Sequence, residues 1–170
     1  MERTLQEQVL RRVGDYTIER CSRRDLGEVI EINEGALPEH YPAFFFEELL
    51  DRFPKSFLVA RKDRVVGYVM CRVEYGLSFL RKLSLTRKGH IVSIAVKEGH
   101  RRKGLGRALM EEAIKGLKAR GCREAYLEVR VSNEPAISLY EKLGFKKGSV
   151  IDGYYRDGEA AYLMVKDLLE

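Results

Sequence analysis

Arg101-Arg102-Lys103-Gly104-Leu105-Gly106 lies between an apolar run, His90-Ile-Val-Ser-Ile-Ala-Val96, and a segment from Arg107 to Arg120 with helical spacing. The first flank reads as a buried strand and the second as a helix, so the hexapeptide is a strand-to-helix loop. A loop so placed sits at a helix N-terminus, where the first N–H groups have no intrahelical partner and the helix dipole favours an anion. Gly104 and Gly106 let the backbone approach a phosphate closely, and Arg101, Arg102 and Lys103 add positive charge. The combination suits a pyrophosphate. It is neither of the commoner phosphate motifs: the Gly-Lys-Ser/Thr end of a P-loop is missing, and Gly104-Leu-Gly106 is too short for G-x-G-x-x-G.

Working outward, Tyr16-Thr-Ile-Glu-Arg20 alternates as a strand, and Ser22 with Asp25 resembles a capping pair that opens a helix through Asn33. Leu37-Pro-Glu-His-Tyr-Pro42 breaks that helix, and Ala43 to Arg52 starts another before Pro54. Two antiparallel strands are expected at 56–61 and 65–74, joined by Lys62-Asp-Arg64, and the polar, basic stretch Tyr75 to Lys88 reads as a long connection. Beyond the loop and its helix, Ala125 to Val131 is a strand, and Asn133 caps a helix that reaches Leu143 and stops at Gly144. Closing strands at 147–151 and 160–166 flank the turn-rich Asp152 to Gly158. Residues 1–15 are expected to be an N-terminal extension and 16–170 a single domain. The order β-α-α-β-β-β-α-β-α-β-β implies an α/β fold, a mixed sheet with helices on both faces.

At 170 residues the chain is long enough to bury roughly 70% of its unfolded surface. Its 31 basic residues are offset by 26 acidic ones, leaving a net charge of +5. That balance suits an anionic small ligand or a place near the ribosome, and no specific nucleic acid is expected. Three cysteines about fifty residues apart and three histidines form no cluster with metal-ligand spacing, which favours a reducing, cytoplasmic setting with the cysteines as small buried hydrophobes. The N-terminus is too polar for a signal peptide, and no apolar run approaches the roughly 18 residues of a membrane span.

A strand, then (Gln/Arg)-x-x-Gly-x-(Gly/Ala), then a helix, a strand and an Asn-x-x-Ala-x-x-Leu-Tyr helix ending in Gly-Phe resembles the GNAT acyltransferase superfamily. Here those elements are Arg101 to Gly106, then Asn133, Ala136, Leu139, Tyr140, Gly144 and Phe145, and the pattern runs from about residue 16 to residue 168. Leu37-Pro-Glu-His-Tyr41, Arg87-Lys-Gly-His90, Tyr126 to Asn133 and Gly153 to Tyr162 look like the archaeal protein N-terminal acetyltransferases, relatives of the catalytic subunit of eukaryotic NatA. The resemblance implies the GNAT acyl-CoA N-acyltransferase fold, acetyl-CoA as co-substrate without a metal, and direct transfer to protein or peptide N-termini. Small first residues and some Met-starting ends would be substrates.

The same resemblance assigns roles. Backbone N–H groups of Arg102, Lys103, Gly104, Leu105, Gly106 and Arg107 would hold the pyrophosphate, with the Arg101 and Arg102 side chains supplementing them. The acetyl carbonyl would be held by a backbone N–H from Ile94, Ala95 or Val96, on a splayed strand; as side chains these three are core. His90 and Glu128 match positions that hold a water acting as base. The plainer readings are a strand-end histidine bonded to backbone and a glutamate paired with Arg130 two residues on. Tyr140, seven residues after Asn133, resembles the general acid for the leaving thiolate, and Asn133 both caps its helix and touches coenzyme A. Leu37, Pro38, Glu39 and Tyr41 would line the pocket for the N-terminal residue, where His40 replaces a common Asn, and Tyr154 and Tyr155 would cover the peptide. Alternatives are a narrower ribosomal-protein, lysine or small-amine acetyltransferase and, from another class, a basic RNA- or ribosome-binding module.

Overall fold

The computed structural model describes residues 8–169. They fall into two compact units, residues 8–72 with Val92–Ala119 and Val73–Ile91 with residues 120–169. The first contains β1 (Val9–Val13), β2 (Tyr16–Arg20), α1 (Leu26–Ala36), α2 (Ala43–Arg52), β3 (Phe57–Arg61) and α3 (Leu105–Ala119). The second contains β6 (Glu124–Arg130), α4 (Glu134–Lys142), β7 (Lys146–Ile151) and β8 (Ala161–Asp167). Two long strands, β4 (Val65–Leu77) and β5 (Leu85–Val96), contribute to both. Hydrogen bonding orders the strands β1-β2-β3-β4-β5-β6-β8-β7. The β1-β2-β3-β4 neighbours are antiparallel, β5 and β6 are parallel, and β6-β8-β7 is antiparallel, so the expected mixed α/β sheet is present.

In the first unit β3 is buried along Phe57-Leu-Val-Ala60, the continuous apolar run of a strand covered on both faces. Leu105, Ala108, Leu109, Ala113 and Leu117 recur at helical spacing on α3 and are all buried. Gly116 shows how closely that helix packs, since a Cβ there would lie 2.1 Å from the Lys55 carbonyl oxygen. In the second unit Ala125, Leu127 and Val129 of β6, with Met164 and Val165 of β8, supply buried apolar surface. Cys21, Cys71 and Cys122 are buried free thiols, as their spacing suggests.

Three elements differ from the sequence expectation. Residues 1–7 of the expected extension lie outside the described residues, but Val9–Val13 is a strand, turned onto β2 by Gly14 at φ 57°. Its sequence, Val-Leu-Arg-Arg-Val, does not alternate apolar with polar residues and so lacks the period by which a strand is recognised. The first helix begins as a 3-10 turn, Arg23–Asp25, in which Ser22 N and Oγ donate to Asp25 Oδ2 at 3.0 and 3.1 Å, and α1 then continues to Ala36. The connection expected over 75–88 shrinks to 78–84, because β4 runs on to Leu77 and β5 begins at Leu85. A buried carboxylate organises that short turn: Glu124 accepts from Phe79 N at 2.9 Å and from the Ser78 hydroxyl.

Candidate active site

In the first unit the strand-to-helix loop has the backbone its glycines suggest. Arg102 and Gly104 have φ of 61° and 79°, so left-handed residues alternate through the turn and gather successive N–H groups into a concavity suited to an anion. A Cβ at Gly104 would meet nothing within 4 Å; the dihedral, rather than crowding, makes glycine suitable there. The first intrahelical bond of α3 runs from Ala108 N to Gly104 O at 3.0 Å, which puts the Leu105, Gly106 and Arg107 N–H groups in the open first turn. Arg102 and Lys103 are exposed. Arg101 is used differently from the expectation: its Nε donates to Val96 O at 2.8 Å and ties the loop to the end of β5. Ala95 is buried, whereas Ile94 and Val96 are only half-buried, so these three residues are less completely core than their apolar run implies.

The Leu37–Tyr41 segment of the same unit hangs on a buried polar chain. Asn33 Nδ2 donates to Glu39 O and to the Tyr68 hydroxyl, each at 3.1 Å, and that hydroxyl lies 2.7 Å from Ser93 Oγ. Asn33 and Tyr68 are completely buried, and desolvation raises the Tyr68 phenol pKa. His40 folds back to contact Leu37 O at 2.8 Å, while the Tyr41 ring packs on Phe45 at 5.1 Å. Leu37 and Glu39 are half-buried and Pro38 is exposed.

The second unit joins the other candidates. Parallel pairing of β5 with β6 sets His90 opposite Tyr126, and the period of two puts Glu128 on the same face. His90 Nε2 and Glu128 Oε2 are 2.7 Å apart, so the histidine is bonded to the glutamate rather than to backbone. Arg130 instead pairs with Asp157 and Glu159, each at 2.8 Å. A carboxylate can only accept, so Nε2 carries the hydrogen and the neutral ring keeps its lone pair on Nδ1. The imidazole lies flat on the Tyr126 ring, with centroids 4.4 Å apart and planes at 1°.

Asn133 caps α4 as expected, its Oδ1 accepting from Ala136 N at 3.3 Å. Tyr140 is 8% exposed and packs edge-on against Phe145. Burial pushes its phenol up to about 12, well above a thiol near 8.5. Tyr154 and Tyr155 meet edge-on at 4.9 Å in the turn after β7, and the Arg130 guanidinium stacks 4.1 Å from the Tyr155 centroid.

Sequence reasoning passed over Tyr126 and Glu74, which complete the His90 surroundings, and over Asn33, Tyr68 and Ser93. A polar atom inside an apolar strand was the available signal for Ser93, whereas Tyr68 reads as core. Tyr126 gave none, because an aromatic residue in an apolar strand looks like core. Among the described residues no group of His, Cys, Asp and Glu could hold a metal ion, and no helix is long and apolar enough to cross a membrane.

Residues 23–145 match the model of the acetyltransferase (GNAT) family. The chain is 52% identical to an N-alpha-acetyltransferase of Saccharolobus solfataricus over 157 residues, 91% of this chain and 94% of that one. It is 36% identical to the NAA10 catalytic subunit of the N-terminal acetyltransferase A complex of Arabidopsis thaliana, over 89% of this chain and 77% of that one. The crystal structure of Ard1 from Thermoplasma volcanium superposes with a TM-score of 0.78 at 31% identity, covering 92% of this chain and 99% of the other. The alternating strands, the glycine loop opening α3 and the Asn133-capped helix are thus those of a known lineage, and the chain belongs to the GNAT family of acetyltransferases.

Proposed function

We propose that this enzyme acetylates the α-amine of protein and peptide N-termini, using acetyl-CoA, in the cytoplasm and from a single catalytic domain over residues 16–170. The observation that carries the reading is the 2.7 Å His90–Glu128 pair, two ionisable side chains joined across neighbouring strands. An α-amine has a pKa of about 7.7–8.0, against about 10.4 for a lysine side chain, so a weak base reached through one water is enough for the first and poorly matched to the second.

The residues at the opening of α3 fit the pyrophosphate of acetyl-CoA: a left-handed turn, open first-turn N–H groups and the Arg102 and Lys103 charges. Acetyl-CoA supplies the acetyl group as a thioester. A backbone N–H among Ile94, Ala95 and Val96 polarises its carbonyl, and Glu128 with His90 takes the proton that the amine gives up. Tyr140 donates to the departing sulfur. With its phenol near 12 it stays protonated and acts as a hydrogen-bond donor, since complete transfer to a thiolate would run uphill. No hydrogen bond among the described residues engages that hydroxyl, which leaves it available for this use. Asn133 caps the helix carrying Tyr140 and contacts coenzyme A. The Leu37-Pro-Glu39 turn with Tyr41 selects the first residue of the peptide, and Tyr154 and Tyr155 cover the chain that follows.

Mass spectrometry of a peptide panel differing only in the first two residues tests the reading. Acetylation confined to the α-amine, with Ser, Ala and Thr ends modified, is the expected result. Modification of lysine side chains or polyamines with every N-terminus untouched would overturn it.

A further inference from the structure

His90 is contacted on both of its nitrogens. While Nε2 bonds Glu128, Nδ1 is buried with no hydrogen-bond partner among the described residues, 3.8 Å from Glu74 Oε1. The Tyr126 hydroxyl stands 2.8 Å from each Glu74 carboxylate oxygen, and the same tyrosine's ring is stacked on the imidazole. One aromatic side chain therefore orients the ring by its face and the second carboxylate by its hydroxyl. An orphaned lone pair aimed near a fixed carboxylate is costly in the neutral state and well placed for the protonated one.

We propose that Glu74 is a positioning residue of the base, holding the amine's proton on Nδ1 of His90, with Tyr126 fixing the arrangement. This rests on the N-terminal acetyltransferase reading above. In the step, an N–H bond of the ammonium breaks, the electron pair stays on the amine nitrogen, and the proton, carried by water to the more exposed Glu74 carboxylate, passes from it to the Nδ1 lone pair. The ring becomes an imidazolium between two carboxylates, with the Tyr126 face adding attraction for the cation. The groups facing the ring in this unit are Glu74 from β4, Tyr126 and Glu128 from β6, and Lys88 two residues back on β5. The Lys88 ammonium opposes the cation but is itself held over the Phe79 ring at 4.0 Å. Side-chain exposure rises from 12% at His90 and 15% at Glu128 to 28% at Glu74. Glu74 is thus the outlet: Nδ1 passes its proton to that carboxylate and the carboxylate to bulk water, restoring the neutral ring.

The test is the pH dependence of kcat/KM on a Ser-starting peptide for wild type, Glu74→Gln, Glu74→Asp and Tyr126→Phe. Removing a negative charge beside the ring makes it protonate at lower pH. Glu74→Gln is therefore expected to displace the acid limb by about one unit toward lower pH and to cut kcat by roughly tenfold, leaving KM for acetyl-CoA unchanged. Glu74→Asp, which keeps the charge, restores the limb. Tyr126→Phe, which keeps the stack and removes the hydroxyl, moves it the same way by less. A Glu74→Gln profile that overlays wild type, or falls in height without displacement, overturns the inference and leaves the enzyme reading intact. If circular dichroism shows Glu74→Gln unfolded, Tyr126→Phe is judged by the same displacement. A wild-type chain that acetylates no peptide overturns both.

Discussion

The buried polar cluster of the first unit, Asn33-Tyr68-Ser93, is made of neutral groups, while that of the second, Glu74-Tyr126-His90-Glu128, is made largely of ionisable ones. The neutral chain is almost dry, with Asn33 and Tyr68 at 0% exposure and Ser93 at 7%. The charged cluster is partly wet, and its His90 Nδ1 lies 3.8 Å from Glu74 Oε1 without a hydrogen bond. Neutral groups bonded to one another hold a backbone path, here the carbonyl of Glu39, and have no ionisable proton to exchange with solvent near neutral pH, although Asn33 Oδ1 is itself buried without a hydrogen-bond partner. Carboxylates flanking an imidazole leave a site where a proton can be taken up and released. The same residue type illustrates the contrast: Tyr68 spends its hydroxyl on two neutral partners, Tyr126 on a carboxylate.

The sharpest way to break the comparison is to remove the ionisable pair. His90→Ala is expected to lower kcat/KM by roughly 10²- to 10⁴-fold, the range general base catalysis supplies. The remaining activity then depends on the free amine, so the pH profile moves upward toward about 7.7–8.0. Steady-state rates across pH decide it. An unmoved profile would make the second cluster as purely structural as the first.

Much of this was legible beforehand, for local reasons. Gly104 and the adjacent cations announce an anion-binding turn within six residues, and Asn133 announces its helix within four. His90 and Glu128 stand out as polar positions in apolar strands. What the sequence hid depends on pairings across the sheet. Glu74 lies 52 residues from Tyr126, and only the register of three strands brings it to His90. The polar stretch 75–88 read as loop because buried Glu124, which organises the turn at 78–84, comes from β6. Arg101 carried the right charge, but its tie to Val96 O appears only once the loop closes.

The neutral chain is expected to fail in the opposite way, through stability. Asn33→Ala removes the donor to the carbonyl of half-buried Glu39 and to the fully buried Tyr68 hydroxyl, a cost of about 1–3 kcal/mol. Urea denaturation with and without the substitution measures it, and the loss should be the same at pH 6 and pH 8, because the three side chains carry no charge in that range. A loss below about 0.5 kcal/mol, or one that varies with pH between those values, would erase the distinction between the clusters.

The smallest effect belongs to a third arrangement, ionic and exposed. The Asp157 pKa is lowered, first by the hydrogen bond from Glu159 N and then by Arg130; Glu159 is lowered first by Ser132 and then by Arg130. Because both folded values lie below the unfolded ones, their contribution is present above the ordinary carboxylate range and lost as pH falls through the folded values. Arg130 also stacks on Tyr155, so that ring reports the change. In an NMR titration from pH 6 downward, the Tyr155 ring signals are expected to move with the Asp157 and Glu159 carboxyls, below the usual range near 3.9–4.3. The His90 ring signals should be indifferent to that transition, since Asp157 and Glu159 pair with Arg130 whereas His90 is hydrogen-bonded to Glu128. Shared movement of Tyr155 and His90 would mean that the two ionic groups of this unit titrate as one, and Arg130 would then belong to the proton chemistry rather than to the order of the turn.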